Sequence, residues 1–88
     1  MRYARRSGIS ETVVGEDLFL ADPMSGELYH LDPSARGLWT VLAEPVPFET
    51  MHATFRDPFP DAQPERLERD LRQALATLMA RGLVLTVP

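Results

Sequence analysis

The stretch ELYHLDPSARGLW, residues 27–39, constrains the fold most, because the spacing of its apolar residues changes inside it. Up to Leu31 it reads as a strand; from Asp32 onward the period lengthens from about 2 to about 3.6 residues. Asp32 is placed to cap a helix, with Pro33 at the first helical position, where a missing N–H costs nothing. Ala35, Leu38, Trp39 and Leu42 then follow at helical spacing. A sheet therefore hands over directly to helices at this point, and Leu31 and Trp39 are expected to reach one core from either side of the Asp32 cap.

Before this joint, two further strand-like runs stand at residues 9–14 and 17–22. Gly15 separates the first pair, and the turn DPMSGE supplies the proline, serine and glycine that a reversal needs before strand 27–31. Both connections are short enough for an antiparallel meander. After the joint, Phe48, Met51, His52 and Phe55 mark a second helix, which the segment RDPFPDAQP breaks. Pro64 opens a third helix running to Arg81, with Leu67, Leu71, Ala74, Leu75 and Leu78 on one stripe and Gly82 as the C′ residue. LVLTVP reads as a short last strand or an extended tail. Phe59, between Pro58 and Pro60, is expected to plug the core from its loop, or else to offer a partner surface.

The expected fold is α+β and winged-helix-like: a three-stranded antiparallel sheet followed by three helices. At 88 residues there is room for one modest core, placed at 9–88 behind a flexible N-terminal segment, 1–8. Apolar residues make up 44% of the chain, which excludes wholesale disorder. There is no cysteine, no apolar run of membrane-spanning length and no signal-peptide core after the basic start, so a cytoplasmic location is expected.

Chemistry is hard to find. No phosphate-cradling glycine pattern and no GxSxG occurs, and His30 and His52 have no second ligand at metal spacing, so no catalytic residue, cofactor or metal is expected. The net charge of −4, with Glu65, Glu68 and Asp70 interleaved among the arginines of the third helix, argues against nucleic acid. What remains is binding. Strand 27–31 contains neither proline nor glycine, so as an edge strand it could accept an extended peptide as an added strand. The helix beside it would form the other wall of a groove, through either the Arg66, Asp70, Gln73, Thr77 shoulder or the Glu68, Arg72, Met79 shoulder.

GELYHLDPSARGLW resembles the G-x-Y-x-L-N-x-x-A-x-x-[IVL]-W segment of PqqD-like proteins, and DLRQALATLMARGLV resembles the closing helix of that family. Asp32 stands where asparagine is usual, and Pro47-Phe48 replaces a Thr-Val entry to the second helix. The resemblance spans residues 11–85 and implies a RiPP recognition element: a non-catalytic adaptor that binds the leader of a ribosomally made precursor peptide. The leader would lie beside strand 27–31 and against the third helix, for presentation to a modifying enzyme such as a radical SAM protein or a leader peptidase. It implies backbone pairing at Leu28, Tyr29 and His30, leader charges met by Arg66 and Asp70, and an apolar floor of Ala74 and Thr77, choosing the shoulder that includes Gln73. Proline at Tyr29 or His30 is then expected to abolish binding. The alternatives are a small scaffold subunit of a biosynthetic enzyme and a winged-helix DNA-binding regulator. An open edge also permits a homodimer.

Overall fold

A computed structural model of the chain describes residues 1–56, 61 and 63–88. The elements run β1 (Arg2–Arg5), β2 (Ser10–Val14), β3 (Asp17–Asp22), β4 (Glu27–Leu31), α1 (Pro33–Val41), α2 (Phe48–Arg56), α3 (Pro64–Ala80) and β5 (Val84–Val87). β2, β3 and β4 form the expected antiparallel meander, with β3 in the middle. The segment 1–8 differs from expectation: it supplies β1, which pairs antiparallel with β5 as a second, two-stranded sheet. Nothing in RYAR signals a strand by itself; its partner lies at the far end of the sequence, and β1 is also tied to the α1–α2 connection by reciprocal backbone bonds between Tyr3 and Val46.

The core gathers Leu18 and Leu20 from β3, Leu31 from β4, Leu38, Trp39 and Leu42 around α1, Met51 from α2, and Leu71, Leu75 and Leu78 from α3. Leu31 and Trp39 are both buried in it, 1% and 2% exposed. Asp32 caps α1 as the sequence suggests, its Oδ1 accepting from the Ala35 N–H at 2.8 Å. Two tethers fix α1 against the sheets. The Arg5 guanidinium donates twice to the Trp39 carbonyl, at 2.9 and 2.7 Å, and the Trp39 indole N–H donates to Glu11.

The end of α3 is built by Gly82, whose φ of 72° lets the chain reverse. The Gly82 N–H reaches the Met79 carbonyl and the Leu83 N–H the Leu78 carbonyl, both at 3.0 Å, which closes a Schellman motif and drops fully buried Leu83 into the core. Phe59 lies outside the described residues.

Candidate peptide-binding groove

β4 is an edge strand, and its register determines which backbone groups are open. β2 and β3 are joined by the two-residue turn Gly15-Glu16, so Val14 and Asp17 close the hairpin as a hydrogen-bonded pair. Bonded and non-bonded pairs alternate along an antiparallel ladder. Asp17, Phe19 and Ala21 thus turn their backbone groups toward β2, leaving Leu18, Leu20 and Asp22 for β4. The residues opposite these three are Leu31, Tyr29 and Glu27. Leu28 and His30, between them, direct N–H and C=O away from the sheet, into the open edge.

This revises the role expected of Tyr29. Its backbone belongs to the ladder with Leu20, and its ring is half-buried against the core under the Arg81 guanidinium, 5.2 Å from the ring centroid. The Leu28 side chain is 66% exposed on the outer face of the sheet. His30 shares that face, tilted against Phe19 at 5.1 Å between centroids and 3.0 Å from Asp17 through Nε2.

Which shoulder of α3 faces β4 follows from what the other one touches. Arg72 lies over the Phe48 ring of α2 at 4.0 Å and bonds Glu68 at 3.0 Å, so the Glu68, Arg72 side packs toward α2. The opposite side, through Asp70 and Ala74, lines a cleft of about 680 Å³ with Asp32, Pro33, Ala35 and Leu38 of the β4–α1 joint and Phe55 of α2. α3 therefore runs antiparallel to β4. Arg81 lies over Tyr29, and Asp70 and Ala74 line the same cleft as Asp32 and Pro33.

Arg66 lines an adjoining hollow that it shares with Asp70 and Leu67. Gln73 and Thr77 are exposed on α3 and are not among the walls of the cleft; the Thr77 hydroxyl donates to its own helix at the Gln73 carbonyl, 3.1 Å away. Sequence reasoning missed Phe55 and Leu67 as walls of the cleft and the contact of Arg81 with Tyr29. The first two fall on apolar helix stripes that read as core, and Arg81 reads as a helix end. Among the described residues, no group of three or more acidic, histidine or cysteine side chains could hold a metal, and no helix is long and apolar enough to cross a membrane.

Residues 17–84 match the family model for coenzyme PQQ synthesis protein D, PqqD, over most of the chain. The chain belongs to the PqqD family. No curated protein is detectably similar in sequence. Among solved structures, the PqqD-family fold recurs in TbiB1 in complex with the TbiA(beta) leader peptide, with a TM-score of 0.83, 19% identity, and 97% of this chain and 98% of that one covered. It recurs again in lasso peptide synthetase B1 complexed with the leader peptide, at a TM-score of 0.80 and 21% identity, covering 98% of this chain and 100% of that one.

Proposed function

We propose that this PqqD-family protein holds the leader of a ribosomally made precursor peptide as a fourth strand on β4, against α3, and presents it to a modifying enzyme. The observation that carries this reading is the open edge of β4 at Leu28 and His30, and a cleft lined by Asp70 and Ala74 of α3 and by Asp32 and Pro33 lies just beyond the end of that strand. Backbone groups on such an edge give affinity without regard to sequence, while the cleft beside them takes selected side chains. Two proteins of the same fold hold leader peptides, which supports carrying the activity to this chain.

The adaptor does no chemistry of its own; a radical SAM protein or a leader peptidase acts on the peptide it holds, in the cytoplasm. Duplex DNA is a poor alternative occupant, because Arg72 is engaged by Glu68 and Phe48 and Arg81 by Tyr29, leaving α3 no continuous basic face. The same edge in two copies would support a homodimer that competes with peptide. Calorimetric titration with the leader of a precursor encoded beside this gene tests the reading. Binding near micromolar that disappears in Leu28→Pro supports it, and a folded protein that binds no such leader refutes it.

A further inference from the structure

We infer that Arg6 is a positioning residue for the peptide groove, because one guanidinium joins the backbone at the end of α3 to the Asp22 carboxylate at the end of β3, which leads into β4. Arg6 follows β1 and reaches two places at once. Its Nε donates to the Gly82 carbonyl at 2.6 Å, at the end of α3, and its Nη2 donates to Asp22 Oδ2, at the end of β3. Its own N–H adds a bond to the Leu83 carbonyl at 2.9 Å.

Asp22 is the residue through which this reaches β4. It pairs with Glu27, the first residue of β4, and organises the turn between them: its Oδ1 accepts from the Met24 N–H at 3.0 Å and its carbonyl from the Gly26 N–H at 2.8 Å. Asp22 is also buried, 6% exposed, the one charged residue so placed among the described residues. Burial would push its carboxyl up, but the Met24 N–H, the Arg6 guanidinium and Ser25 together hold it below the ordinary carboxylate value.

The strut therefore fixes the distance between the end of α3, where Arg81 overlies Tyr29, and the start of β4. This is the end of the groove away from the Asp70 cleft, where Arg81 also lies over Tyr29 and where Leu78 and Leu83 share the core with Leu20 and Leu31. Without Arg6 the hairpin and the helix end can separate, so a peptide must bring the walls together on binding, and affinity falls by that reorganisation.

The inference rests on the reading of β4 as the peptide edge, and the test separates the two. The probe is a synthetic peptide selected from a random-sequence phage library on the wild-type protein and shown to lose binding in Leu28→Pro. Failure to obtain any such edge-dependent peptide overturns the edge reading and this one with it. With the probe in hand, Arg6→Ala is expected to weaken binding roughly tenfold. Arg6→Lys, which can keep Asp22 or Gly82 but not both, falls between.

Arg5→Ala is the control, since Arg5 ends the strand that Arg6 follows and its guanidinium makes two bonds to the Trp39 carbonyl and an ion pair with Glu11, away from the groove. It is expected to lower thermal stability while leaving peptide affinity within about twofold. Amide chemical shifts in Arg6→Ala should move on both walls, at 27–31 and 77–83. Equal losses of affinity in Arg5→Ala and Arg6→Ala, or normal binding by Arg6→Ala, overturn the inference.

Discussion

Proline substitution along β4 should divide by odd and even positions, and this is the sharpest consequence of the register. Leu28 and His30 face the open edge, whereas Tyr29 is paired with Leu20. Leu28→Pro removes no ladder bond inside the protein, and its side chain is 66% exposed, so stability should change by less than about 1 kcal/mol. An incoming strand, however, loses one hydrogen bond of about 1 kcal/mol net and meets the proline ring at its contact line, a total of about 2–3 kcal/mol. Affinity should then fall by roughly 30-fold to 150-fold.

Tyr29→Pro inverts the pattern. It removes the donor to Leu20, leaves that carbonyl without its partner beside the core, and loses the half-buried ring, so global stability should drop by about 3 kcal/mol or more. Fluorescence anisotropy with a labelled leader and urea denaturation followed by circular dichroism separate the two effects. A Leu28→Pro protein that binds normally, or a Tyr29→Pro protein as stable as wild type, would refute the assignment of edge and ladder residues.

Gly82→Ala meets nothing within 4 Å of the added methyl but must hold a φ of 72°, so it should cost about 1–2 kcal/mol, measured by thermal denaturation. Gly37→Ala lies inside α1 with its new Cβ 3.6 Å from the Phe55 ring, an ordinary contact, and should stabilise by up to about 1 kcal/mol. Trp39→Ala should cost about 3–5 kcal/mol and leave little folded protein at elevated temperature. Because Asp22 titrates below its ordinary value of 3.8 when folded, its contribution is complete above that pH and disappears as pH falls through the folded value. Acid denaturation curves should accordingly be flatter below about pH 4 in Asp22→Asn.

The sequence made the local elements legible wherever a cap, a turn or a long apolar stripe marked them. Asp32-Pro33, Gly15 and Gly82 each determine a backbone conformation within a few residues, and the structure has a cap, a turn and a helix end at those places. The stripe of α3 identified its buried side, but wheel geometry could not choose between shoulders, because that choice is made by Phe48 on another helix. β1 was invisible for the same reason: a four-residue strand gains its identity from β5, more than seventy positions away. The direction of backbone groups along β4 needed the pairing register, which a chain read on its own does not state. Arg6 and Arg81 looked like ordinary surface charges until their partners on other elements were known.

The pleat that places Leu28 and His30 on the outer face imposes the same alternation on any strand added beside them. Every second side chain of a held peptide would point inward, to α3 and the cleft. The ones between would stand on the outer face in line with Leu28, Phe19 and His30, in solvent. A peptide held this way would show the protein only half of its letters. The other half would stay legible to a second protein, so that two readers could take one short peptide without competing for the same residues.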